Sequence, residues 1–160
     1  MRGGSLPPAL LSAALGLALA YAPPRARRAA VLVLWIAAPL VALVSLPPSW
    51  EEPVFLACWA GVIVAAASVH LPRGLSTQLA LALALAIAVL AGMVSAVAGS
   101  LPTLLFALPW VLVTIPAAWL IAHGRGIGVK IVSSWLIAIA LLSAALPLSP
   151  TPGYEPDHLE

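Results

Sequence analysis

Charged residues are scarce in this sequence of 160 residues. Aspartate, glutamate, lysine and arginine together make up 8% of the chain, hydrophobic residues make up 63%, and the mean hydropathy is +1.13. A soluble domain carries roughly 25% charged residues, because its surface faces water. The composition therefore excludes a soluble globule and a disordered chain, and it indicates an integral membrane protein without a sizeable soluble domain.

Chemically reactive groups are equally scarce. The single cysteine, Cys58, excludes an internal disulfide and a multi-cysteine metal site. No acidic or basic residue falls well inside an apolar segment, whereas proton relays and ion pathways in membranes normally use such residues. The three histidines do not cluster, and no serine or glycine pattern matches a catalytic or phosphate-binding motif. We therefore expect no enzyme activity, no metal, no cofactor and no nucleic-acid partner.

Six apolar segments are separated by proline, glycine and charged residues, which end membrane helices. A spanning helix needs about 20 apolar residues. The expected spans cover residues 6–22, 29–46, 53–70, 77–99, 101–122 and 129–148. The sequence thus predicts an all-α bundle of about six transmembrane helices with short loops, forming one domain over residues 1–148. An extended, proline-rich acidic tail is expected over residues 149–160.

The first segment has two interpretations. Arg2, a short apolar run and the motif Ala20-Tyr21-Ala22 resemble a cleavable signal peptide. Pro23 disfavours cleavage, because its ring constrains the bond that would be cut. Cleavage would also place three arginines outside, against the usual distribution of positive charge. We therefore expect this segment to remain as a span.

Basic residues fall almost entirely into alternate loops. Those that follow the first, third and fifth segments are Arg25, Arg27, Arg28, Arg73, Arg125 and Lys130. Only Arg2 falls on the other side. Because lysine and arginine in short loops favour the cytoplasm, both termini are predicted to lie on the outer side. The expected location is a bacterial inner membrane.

The fourth segment contains a ridge of small residues at helical spacing, Ala88, Gly92 and Ala96. Membrane helices associate through close packing, which such a ridge permits. We expect a helix contact there, with a partner in this chain or in another subunit. The alternative is that an alanine-rich chain produces this spacing by chance.

Internal prolines mark the second and fifth segments. Each proline frees a backbone carbonyl near the middle of the membrane, and broken helices at matching positions of two halves point to a substrate site in transporters. The candidate substrate path therefore consists of Pro39, Thr114, Pro116, Ser133 and Ser134. In the alternative interpretation, the hydroxyl groups bond only to their own helices.

A glycine-rich connector, residues 124–128, separates the fifth and sixth segments. Arg125 and Lys130 in or beside it are candidates for contact with anionic lipid head groups. The alternative is a flexible connector whose charges only set the orientation.

Two classes of function remain. The first is a transport or permeation component for an uncharged or weakly polar solute, in a homo-oligomer or with other membrane subunits. The second is a non-catalytic accessory or scaffold subunit of a larger membrane complex. A continuous polar cavity between the second and fifth segments would favour transport, whereas a solid core with an exposed face of small residues would favour a scaffold.

Overall fold

The computed structural model describes residues 6–98 and 100–145, so the expected tail over residues 149–160 lies outside the described residues. The described part of the chain is 85% helical and contains no strand. Four helical segments are long and apolar enough to cross a membrane, as in an integral membrane protein. These four segments are Pro48–Ser68, Thr77–Val97, Leu101–Ala122 and Gly126–Ala145.

Each of the six expected segments is helical over most of its described residues. The helices are α1 (Leu6–Leu19), α2 (Pro24–Ala42), α3 (Glu51–Ser68), α4 (Thr77–Ala98), α5 (Leu101–Ala107), α6 (Thr114–Ala122) and α7 (Gly126–Ala145). Two 3₁₀ segments accompany them, Pro48–Trp50 before α3 and Leu108–Val113 between α5 and α6.

The basic segment after α1 is helical, whereas the sequence predicts a loop there. α2 begins at Pro24, so the three arginines of this segment lie in its first turns. Proline is favoured at the first position of a helix, because its φ is already helical and an N–H there would lack a helical partner. α1 has 14 residues and α2 has 19, including the arginines, so neither contains the about 20 apolar residues of a full span. A count of six spans stays a prediction.

α1 lies at the centre of the bundle. Ten of its 14 residues are buried, and it contacts α3, α4, α7 and the whole helical run Leu101–Ala122. A helix that is apolar all round is expected in such a position. The first helix is therefore the core around which α3, α4, α7 and this run pack.

α2 packs closely along α4. A Cβ atom added at Gly92 would lie 2.6 Å from the Cβ of Val41 and 2.7 Å from the carbonyl oxygen of Ala38. Within the same ridge of α4, Ala88 is buried and Ala96 is partly buried. At Gly92, this ridge thus meets a helix of the same chain and is not an exposed flat face.

Three turns that contain or directly precede basic residues meet around Tyr21. The N–H of Leu75 donates to the Tyr21 carbonyl (3.3 Å), and the Tyr21 hydroxyl donates to the Gly126 carbonyl (3.2 Å). Gly74 has a φ of +68°, which favours glycine, and a Cβ there would lie 2.9 Å from the Tyr21 carbonyl oxygen. The turns after α1, α3 and α6 are thereby joined, and we call this side of the molecule the basic end.

The orientation of the basic end is testable by thiol labelling in a Cys58→Ala background. Glu51→Cys should react with a membrane-impermeant maleimide in intact cells, and Arg125→Cys should react only after permeabilisation, because positive loops face the cytoplasm. Both positions are exposed, and Glu51 begins α3 at the end opposite to its basic turn. Labelling of position 125 in intact cells would contradict the predicted orientation.

A second prediction concerns the contact between α2 and α4. Gly92→Ala should lower the free energy of unfolding by about 1–3 kcal/mol, because the added methyl group overlaps the backbone of α2. Gly128→Ala is the matched control, since nothing lies within 4 Å of a Cβ there, and it should leave stability unchanged or slightly raised. Unfolding in mild detergent measures both variants, and equal stabilities would show that the contact is absent.

Candidate functional site: a groove beside the proline-broken helix

The helical run Leu101–Ala122 changes its geometry where its prolines lie. α5 ends at Ala107, a 3₁₀ segment follows, and α6 resumes at Thr114. Pro109 and Pro116 have no N–H, so the carbonyls four residues before them lose their helical partners. A 3₁₀ helix is also narrower than an α-helix, which lets a neighbouring backbone approach.

The backbone of α1 makes such an approach at Gly16. A Cβ there would lie 2.7 Å from the carbonyl oxygen of Val111 and 3.3 Å from the backbone nitrogen of Thr114, so only glycine fits. The buried Thr114 hydroxyl lies 2.9 Å from the Gly16 carbonyl and 2.7 Å from the Val111 carbonyl, and it donates its single proton to this pair. Thr114 therefore links the broken helix to the core helix.

A groove lies beside this contact, between the start of α2 and the run Leu101–Ala122. Its volume is about 490 Å³, within the range of about 300–1,000 Å³ of small-molecule sites. The residues that line it are Arg27, Arg28, Val31 and Leu32 of α2, and Val111, Leu112, Thr114 and Ile115 of the run. Its walls are apolar except for the two arginines and the Thr114 hydroxyl. Because Leu32 and Ile115 are 61% and 66% exposed, the groove opens sideways out of the bundle.

The two arginines of the groove have different surroundings. The Nε of Arg27 donates to the Leu19 carbonyl (3.2 Å), and its Nη2 donates to the carbonyls of Ala20 (3.3 Å) and Ala22 (3.2 Å). These carbonyls close α1 and the turn after it, where the helix dipole is negative, and the Leu19 carbonyl also accepts from the N–H of Ala22 (3.0 Å). Arg27 thus caps the core helix, whereas Arg28 is exposed.

Only one of the three candidate path residues in the second and fifth segments lies in the groove, and α2 continues unbroken through Pro39, contrary to the expected break. Thr114 lines it, and Pro116 is exposed beside Ile115, which also lines it. Pro39 is partly exposed and lies seven residues beyond Leu32, outside the lining. The groove therefore adjoins the break in the fifth segment and does not reach the proline of the second.

The two candidate serines lie in α7, away from the groove. Each donates to the carbonyl four residues earlier in its own helix, at 2.9 Å for Ser133 and 3.0 Å for Ser134. Ser133 is buried and Ser134 is exposed. Arg125 and Lys130 are both exposed at the basic end, as a contact with lipid head groups requires.

The described part of the chain contains no cluster of metal-ligating side chains. No set of three His, Cys, Asp or Glu residues there can hold a metal ion. Two buried polar atoms, Ser12 Oγ and Trp59 Nε1, have no hydrogen-bond partner among the described residues. Neither of these residues lines the groove.

Several residues of this region carry little signal in the sequence. In the sequence, Arg27 and Arg28 serve only to predict orientation, and Gly16 is not among the predicted site residues. A glycine within an alanine- and leucine-rich segment is the signal that points to a close backbone approach. The apolar lining residues carry no signal, because every segment of this chain consists of such residues.

Comparison of the chain with family models, with curated proteins and with solved structures finds no match. A function for this chain is therefore inferred from the groove and from the groups that line it.

A third prediction concerns the hydrogen bonds of Arg27. Arg27→Gln should lower the free energy of unfolding by about 1–3 kcal/mol, because a charged donor to the buried end of α1 is lost. Arg25→Gln removes the same charge from an exposed position of the same turn and should change it by less than about 0.5 kcal/mol. Unfolding in detergent compares the two, and equal losses would show that only net charge matters.

Proposed function

We propose that this protein is a transport or permeation component of a membrane, and that its solute binds in the groove between α2 and the run Leu101–Ala122. The observation that supports the proposal is the groove itself, which has the size of a small-molecule site and borders a helix broken by two prolines. Broken helices beside a cavity are a common feature of transporter sites.

The lining determines the class of solute that we propose. Apart from the arginines at one end, the polar side chain in the walls is Thr114, whose proton is already donated to backbone carbonyls. A strongly polar solute would lose its hydration there without gaining hydrogen bonds, which is unfavourable. The proposed solute is therefore uncharged or weakly polar over most of its surface.

The membrane arrangement that we propose has six crossings, both termini outside, in a bacterial inner membrane. Six helical segments and the joined basic turns around Tyr21 support it. α2 is short, but arginine side chains at a helix end extend to the interface, and the bilayer thins locally around short helices.

A second candidate function is that of a non-catalytic accessory subunit. α7 lies at the edge of the bundle, where it packs mainly against α3 and α6, and Trp135 on it is 72% exposed. This apolar surface suits another membrane subunit or a second copy of the chain. The ridge at Gly92 does not add to it, because α2 covers that position.

A matched pair of leucines tests the transport proposal. Leu32 and Leu40 both lie on α2 and are both 61% exposed, but only Leu32 lines the groove. In proteoliposomes, the unmodified protein should raise the flipping of a fluorescent, NBD-labelled phospholipid above the rate of protein-free vesicles. Leu32→Trp should abolish the gain because the indole fills the groove, and Leu40→Trp should retain it.

Dithionite quenching measures lipid flipping. Size-exclusion chromatography of each variant checks that assembly is intact. A flipping rate equal to that of protein-free vesicles would contradict this proposal and favour the accessory subunit.

A further inference from the structure

The two ends of the groove differ in chemistry. Arg28 stands at the basic end, and the rise of an α-helix places Leu32 about 6 Å further along α2. The opposing wall, formed by the run Leu101–Ala122, includes Leu112 and Ile115. The groove therefore has a cationic mouth and an apolar body, which is the complement of an amphipathic anion.

The charge at the mouth is not neutralised by a described carboxylate. Glu51 and Glu52, the acidic residues within the described ranges, begin α3 at the opposite end of the bundle. α2 has no acidic residue in its first turn and no side-chain cap, so its dipole adds to the positive field. Arg27 is engaged with the end of α1, which leaves Arg28 as the exposed guanidinium of the groove.

The direction in which the groove opens identifies where its occupant comes from. The exposed side chains of Leu32, Leu112 and Ile115 surround an opening at the side of the bundle, where a membrane protein meets acyl chains. Positive side chains at the end of a span lie at the level of the phosphate groups. An occupant from the bilayer thus reaches both parts of the groove at once.

We propose that the groove binds one anionic phospholipid, with its phosphate on the Arg28 guanidinium and one acyl chain between Leu32 and Ile115. The inference rests on the proposed function in that it assigns a ligand to the same groove. A guanidinium pairs with a phosphate through parallel N–H···O bonds, and the acyl chain buries the apolar walls. Free phosphate would use only the mouth, and a zwitterionic lipid would bring its own cation to it.

Retention of lipid in mild detergent tests the inference by native mass spectrometry. The protein is incubated with equal amounts of palmitoyl-oleoyl phosphatidylglycerol and palmitoyl-oleoyl phosphatidylcholine. One phosphatidylglycerol per chain should be retained, with a preference of about tenfold, as expected for one good charge-assisted contact. Equal retention of the two lipids would overturn the inference.

Two matched pairs of variants locate the lipid. Arg28→Gln should reduce the preference to about that of phosphatidylcholine, whereas Arg25→Gln, an exposed arginine outside the lining, should keep it. Leu32→Trp should lower retention of both lipids, and Leu40→Trp should not. Equal losses for the two arginine variants would show a diffuse basic belt and overturn the site. Loss of the bound phosphatidylglycerol in a roughly fivefold excess of inorganic phosphate would indicate an anion site without a lipid. That result would also overturn the inference.

Binding and transport are measured separately, so their failures can be distinguished. Retention of phosphatidylglycerol without lipid flipping would leave the lipid site in place and remove the transport proposal. Flipping that Leu32→Trp abolishes, without any lipid preference, would keep the transport proposal and remove the lipid site.

Discussion

The carboxyl end of α1 and the turn after it are largely buried, so their carbonyl groups need hydrogen-bond donors. Backbone N–H groups of the turn reach the carbonyls of Gly16, Ala18 and Leu19, and three other parts of the chain add further donors. Arg27 donates to the last carbonyls and the turn, the Thr114 hydroxyl reaches the Gly16 carbonyl one turn earlier, and the N–H of Leu75 binds the Tyr21 carbonyl. The positions of α2, of the broken run and of the turn before α4 all depend on this requirement.

The groove follows from the same requirement. Gly16 lets the backbone of α1 touch the 3₁₀ segment, and Thr114 fixes that segment by its hydroxyl. On α2, Arg27 must point at the end of α1, so the next residue, Arg28, points elsewhere along the helix surface. The two elements are thus fixed against α1, and the space between them stays open to the side.

The helical class, the segments and the break at proline in the fifth segment could be predicted from sequence, because burial of backbone polar groups in a membrane permits few alternatives. The break expected at Pro39 was wrong, since α2 continues through that proline as one helix. The start of α2 could not, since the arginines that set orientation also fit the first turns of a helix opened by Pro24. Thr114 was accessible to prediction as a hydroxyl beside a proline. Its bond to Gly16 was not, because a contact across 98 positions of sequence depends on packing that no local pattern encodes.

The polarity of the groove bears on both functions that the sequence leaves open. A polar channel would require hydroxyl groups whose protons are free, but those of Thr114, Ser133 and Ser134 are donated to backbone carbonyls. These three hydroxyl groups are therefore satisfied within the chain, and the groove offers its surroundings apolar surface with a cationic rim. Such a surface discriminates by the head group of an amphipathic molecule, because acyl chains differ little in their fit to leucine and isoleucine. If the groove binds the lipid that we propose, its selectivity is consequently concentrated in a single side chain, the exposed guanidinium of Arg28.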